Sequence, residues 1–122
     1  MDLARSALGK QTSNGNLLNL PATHLIVPRS LEGTARTIVN SQYPNGELRV
    51  IASSYLDLVS STAWYLVSGL NPPLTVATLK GHPTPMVSLQ RNFASDDIQF
   101  RVVFDFAVIG SEFRSIVKST GT

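Results

Sequence analysis

The sequence contains no cysteine, so it can build neither a disulfide framework nor a thiolate metal site. Its two histidines, His24 and His82, lie too far apart for the four-residue spacing by which a helix offers two imidazoles to one metal. Charge is also sparse, at 15% of residues with a formal net charge of +2. The three lysines and seven arginines are scattered from Arg5 to Lys118, which is not the clustered basic face that nucleic acid requires. No apolar run approaches the roughly 20 residues of a membrane-spanning helix. The opening MDLARSALGKQ lacks the apolar stretch of a secretory signal. Glycines stand singly, in N-G, K-G-H and I-G-S contexts, so there is no loop to cradle a phosphate. The serines form no G-x-S-x-G elbow. These absences weigh against a nucleotide-binding, metal-dependent or serine-hydrolase site.

What is present is enough to fold. With 122 residues and 43% apolar content, the chain can bury a core that offsets the entropy of ordering it. Leu3, Ala4, Ala7 and Leu8 share one helical face over residues 2 to 11, and Gly9 with TSNGN ends the pattern. No strong capping residue precedes this helix, so it reads as the last turns of a longer one. Asn14-Gly15 marks a turn. Leu17 to Leu20 and Leu25 to Val27 read as extended, and Pro28 disfavours the helical region for Val27 before it. Ser30 is a candidate cap for a helix from Leu31 to about Val39, which would dock through Leu31, Ala35, Ile38 and Val39 and carry a Glu32–Arg36 pair outside. Gly33 weakens this helix by roughly 1 kcal/mol relative to alanine, so packing must hold it. Pro44-Asn45-Gly46 closes the unit.

Beyond Glu47 the pattern is that of strands. LRVIAS, AWYLVS, PLTVATL and MVSLQ are candidates, SSYLDLVSST is a short helix or a loop, and RSIVKS adds a last short strand. The clearest alternation runs from 98 to 108, where Ile98, Phe100, Val102, Phe104, Phe106 and Val108 form a continuous apolar face. That strand is the expected core platform. The fold class is α+β with a mixed, largely antiparallel sheet and flanking helices.

Candidate chemistry is thin. Asp96-Asp97 could pair for acid-base work, but adjacent residues in a strand point to opposite faces, and turn initiation is the simpler reading. His82 with Asp96 or Asp97 is the one arrangement a small hydrolase or isomerase could use, and it requires a pocket joining them. Trp64, Tyr65 and Tyr55 could stack a ligand, although aromatics serve packing equally well. No catalytic residue, cofactor or metal ligand is assigned.

The order of segments carries more information than any single residue. LARSALGKQTSNGNLLNLPATHLIVPRSLEGTAR resembles a stretch of Mu-like tailed-phage major head proteins, in which a helix ends, a turn follows and a "P..L.VP..LE..A" motif begins; here its positions are Gly15, Pro21, Leu25, Val27, Pro28, Leu31, Glu32 and Ala35. ELRVIASSYLD, AWYLVSG and LKGHPTPMV are similar to the family's next segments. FASDDIQFRVVFDF followed by GSEFRSIVKSTG resembles its ending, through Asp97, Arg101, Asp105, Phe106, Arg114, Lys118 and Gly121, with Ala107 in place of an expected glycine. The resemblance implies a structural capsid subunit of the Hong Kong 97-type fold, not an enzyme. On it, residues 1–13 correspond to the end of the spine helix of the peripheral domain, and 14–122 to an axial-domain-like region. It implies partners that are other copies of the chain, in pentamers and hexamers, together with other head proteins. It implies a virion location after assembly in the bacterial cytoplasm. Polar residues beside turns are then the candidate subunit contacts: Arg36, Gln42, Tyr43, Glu47 and Arg49, followed by Glu112 and Arg114. The competing reading is an accessory or adaptor module that docks on a shell.

Overall fold

A computed structural model describes residues Met1 to Gly121. The chain forms helix α1 (Asp2–Gly9), the short strands β1 (Thr12–Ser13) and β2 (Asn16–Leu17), then β3 (His24–Pro28), a 3-10 turn (Arg29–Leu31) and α2 (Glu32–Gln42). β4 (Arg49–Ser53), α3 (Ser54–Asp57) and β5 (Trp64–Val67) follow. Four strands come next, β6 (Leu74–Thr78), β7 (Met86–Asn92), β8 (Asp97–Val103) and β9 (Phe106–Gly110), before a 3-10 turn (Phe113–Ser115) and β10 (Ile116–Ser119). Residues 1–73 and the segment from Ser111 onward form one compact unit, and residues 74–110 form a second. Among the described residues, no helix is long and apolar enough to cross a membrane.

The first unit is built on a four-stranded sheet in the order β10-β5-β3-β4. β3 runs parallel to β4 and antiparallel to β5, and β5 pairs antiparallel with β10. Its register sets Leu25 beside Val50 and Leu66, Val27 beside Ala52, and Val117 beside Leu66. Because paired residues point to the same side of a sheet, these form one apolar face. Leu8 of α1 and Ala35 and Val39 of α2 cover it. The parallel β3–β4 pair needs a crossover, and α2 supplies it.

Local chemistry explains the elements. Asn14 and Gly15 both take positive φ (49° and 81°), the conformation of a two-residue hairpin turn whose twist suits its strands. Gly121 also has positive φ, and a Cβ there would collide with the Thr62 carbonyl, so only glycine lets the chain pass this close.

Several expectations are corrected. Leu3 is 88% exposed and Ala7 is exposed, so the docked stripe of α1 is the narrower set Met1, Ala4 and Leu8. Strand β3 includes Pro28, which pairs with Ser53. The first extended candidate, Leu17 to Leu20, keeps only Leu17 in a strand, the two-residue Asn16–Leu17. α2 starts at Glu32, with Leu31 in the N-cap position, and Ser30 lies inside the preceding 3-10 turn.

The largest correction concerns residues 98 to 108. They form two strands, interrupted at Phe104-Asp105, of which β8 pairs with β7 and β9 with β6. The cause lies on the opposite side of the ladder: Pro83 and Pro85 have no N–H to donate, and Gly81 turns at φ 86°. The β6–β9 ladder ends with Leu79 N–H donating to the Asp105 carbonyl at 3.4 Å. These strands are not a core platform either. They form two-stranded ribbons with almost every residue exposed, Phe100 at 70%, and the buried core belongs to the first unit.

Two substitutions test this assignment. Leu66 has no exposed surface, and Leu66→Ala is expected to lower unfolding free energy by about 2–5 kcal/mol in urea titrations. The Ser68 hydroxyl is buried without a partner among the described residues, so Ser68→Ala is expected to leave stability unchanged or raise it, by up to about 1 kcal/mol in the same assay.

Candidate interaction surface

The strand-to-helix junction at Pro28 is held by a carboxylate far away in the chain. Asp57, at the end of α3, accepts hydrogen bonds from the backbone N–H of Arg29 (2.8 Å) and Ser30 (3.4 Å), and from the Ser30 hydroxyl (2.8 Å). The same hydroxyl lies 3.0 Å from the Ser61 carbonyl. The N–H groups at the start of the 3-10 turn, which have no internal partner, are thus met by a tertiary contact. These bonds, the one from the Ser30 hydroxyl foremost, hold the Asp57 carboxyl below the usual carboxylate range despite the opposing effect of desolvation. The junction is therefore architectural.

The seven candidate contact residues divide into separate groups. Arg36 is engaged within its own helix: its guanidinium meets the Glu32 carboxylate at 2.8 Å, and Arg29 meets the other Glu32 oxygen at 3.1 Å. Tyr43 and Glu47 are brought together by a residue that sequence reasoning passed over, Arg5. Its guanidinium sits 4.3 Å above the Tyr43 ring and 3.8 Å from Glu47, and the Tyr43 hydroxyl donates to Asp2 at 3.2 Å. This cluster ties α1 to the α2–β4 connection. Gln42 and Arg49 are exposed. Glu112 and Arg114 form a local pair at 3.1 Å, with the arginine 4.6 Å above the Phe113 ring.

Among the described residues, His82 and the Asp96-Asp97 pair are not brought together. His82 precedes β7, whereas Asp96 and Asp97 lie at its far end, where Asn92 pairs with Asp97. Seven strand residues at about 3.3 Å each separate them by roughly 20 Å. Asp96 has φ 54°, so its role is conformational, in a turn where Asn92 Oδ1 accepts from Ala94 N–H at 3.1 Å. His24 is hydrogen-bonded to the neighbouring Thr23 hydroxyl at 2.8 Å. Trp64 and Tyr65 are consecutive in β5 and point to opposite faces, while Tyr55 is exposed on α3, so the three do not make one stacking platform.

Two features can engage another molecule. One is an apolar cavity of about 150 Å³ between α2 and the sheet, lined by Leu25, Val27, Ala35 and Trp64 with Leu31, Thr34, Ile38 and Met1. No acidic or basic side chain lines it, so it suits an apolar group and not a substrate that must be polarised. The other is the ribbon of residues 74–110. Register places Val87, Leu89, Phe100, Val102 and Ile98 on one face of β7–β8, and Leu74, Val76, Phe106 and Val108 on one face of β6–β9. Phe104 and Phe106 stack at 5.3 Å across the interruption. An exposed apolar stripe of this kind marks an interaction site.

The family model described as "Phage capsid protein" matches residues 1–119. No curated protein and no solved structure matches the chain.

Asp57→Asn is expected to lower the unfolding midpoint at neutral pH. A carboxyl whose pKa is lowered by folding contributes stability above its unfolded pKa and loses it as pH falls through the folded value. The wild type should therefore lose stability on the acid side of the usual carboxylate range, and thermal scans across that range should show the loss reduced in Asp57→Asn and in Ser30→Ala.

Proposed function

The chain belongs to a family of phage capsid proteins, and from that premise we propose that it is a shell-forming subunit, the major head protein of a Mu-like tailed phage or prophage, which self-assembles through contacts between copies. The observation that carries this reading is the exposed ribbon. A two-stranded ribbon is marginal alone in water, and an apolar stripe left uncovered favours aggregation. A subunit whose ribbon is covered by its neighbour resolves both difficulties on assembly. Individually modest contacts then become strong because a closed shell multiplies them.

In this reading the fold is of the Hong Kong 97 type, residues 1–13 correspond to the end of a spine helix, and residues 14–122 to an axial-domain-like region. The partners are further copies in pentamers and hexamers, with other head proteins, and the location is the virion after assembly in the bacterial cytoplasm. Among the contact candidates, Gln42 and Arg49 are the best placed, since their exposed side chains have no partner among the described residues. Arg36, Tyr43, Glu47, Glu112 and Arg114 must exchange an internal contact for an external one.

Expression of the chain followed by electron microscopy and sedimentation tests the proposal. Rings or shells are expected, and a species that stays monomeric throughout overturns it. Arg49→Glu is expected to reduce particle number about tenfold through like-charge repulsion or loss of a pair, and unchanged particle counts remove Arg49 from the contact set.

A further inference from the structure

The most exposed large apolar side chain is Phe93, at 99%. It stands in the four-residue turn between β7 and β8, roughly 20 Å from the Met86 end of the ribbon. An aromatic side chain gains most of its interaction energy from burial, and within its own chain Phe93 gains none. We propose that Phe93 seats in the apolar cavity between α2 and the sheet of a second copy of this chain.

Size and chemistry favour this match. The cavity measures about 150 Å³, and an apolar cavity of about that volume can stay dry and accept a benzene ring. Its walls are Leu25, Val27, Leu31, Ala35 and Trp64, while Thr34 and Ile38 stand exposed at its rim. A ring buried in this way supplies about 150–250 Å², far less than a stable interface of roughly 800 Å² per partner requires. Phe93 is thus the anchor, and the apolar stripe behind it, Ile98, Phe100, Val87 and Leu89, supplies the remaining area.

The geometry has a consequence for assembly. Tip and cavity are different surfaces, so the contact is heterologous: each copy gives one anchor and receives one, and a ring or an extended array results instead of an isolated pair. The inference rests on the self-assembly reading above and deepens it.

The absence of cysteine makes disulfide trapping clean. Chains carrying Phe93→Cys and chains carrying Thr34→Cys, tagged to differ in mass, are mixed and oxidised. A disulfide-linked heterodimer is expected, well above that obtained with Asn45→Cys, an exposed turn position. Phe93→Ala is expected to weaken self-association about tenfold in sedimentation without moving the unfolding midpoint, because the side chain is exposed, and Phe93→Leu should retain most of it. A wild type that self-associates while Phe93→Ala matches it and the heterodimer does not exceed the control overturns the inference and leaves the self-assembly reading standing. A wild type that never self-associates overturns both. An intrachain disulfide in the Phe93→Cys, Thr34→Cys double variant shows that the tip fills its own cavity and also overturns the inference.

Discussion

Strand β3 is the constraint on which the first unit depends. It is bonded on both edges, parallel to β4 and antiparallel to β5, and it sends Leu25 and Val27 into the core. Strand β4 reaches its place only through the α2 crossover, and β10 joins the sheet only through β5. Helices α1 and α2 have a surface to dock on because β3, β4 and β5 align their apolar residues on one face. A one-residue slip in β3 would turn Leu25 and Val27 to the other face and remove that surface.

The junction after β3 shows how such a unit satisfies its polar groups. Chain direction must reverse between β3 and α2 within a few residues, and the N–H groups at the start of the intervening 3-10 turn would be left unbonded. Asp57 meets two of them together with the Ser30 hydroxyl. Since α3 follows directly from β4, the parallel pairing of β3 with β4 also delivers the carboxylate that holds the turn before α2. Arg5 plays a comparable part at the other end of α2, where it links Tyr43 and Glu47.

Residues 74–110 follow different physics. Alternation is strict, yet the apolar face meets solvent instead of a core. Under the proposed role as a shell subunit this face would be covered by a neighbour, so that assembly would complete the burial that residues 74–110 leave open.

Much was legible from local signals. Asn14-Gly15 specifies its hairpin because both positions need positive φ. Ala35 and Val39 mark the docked face of α2, and the β-rich second half with its α+β class follows from alternation. What failed did so for reasons of distance. Alternation at 98–108 reports that one face is apolar but not what covers it, and its interruption lies opposite the segment between β6 and β7, where Pro83 and Pro85 cannot continue a ladder. Ser30 has the chemistry of a cap, yet its hydroxyl bonds to Asp57, 27 residues on. Arg5 has no local feature linking it to Tyr43 or Glu47. The sequence by itself determined the turns, the periods and the apolar faces, because these depend on backbone preferences and neighbours within a few residues. Only the tertiary structure decided which faces are buried, which carboxylate holds the turn before α2 and where the long ribbon breaks, because each depends on groups that meet only when distant segments pair.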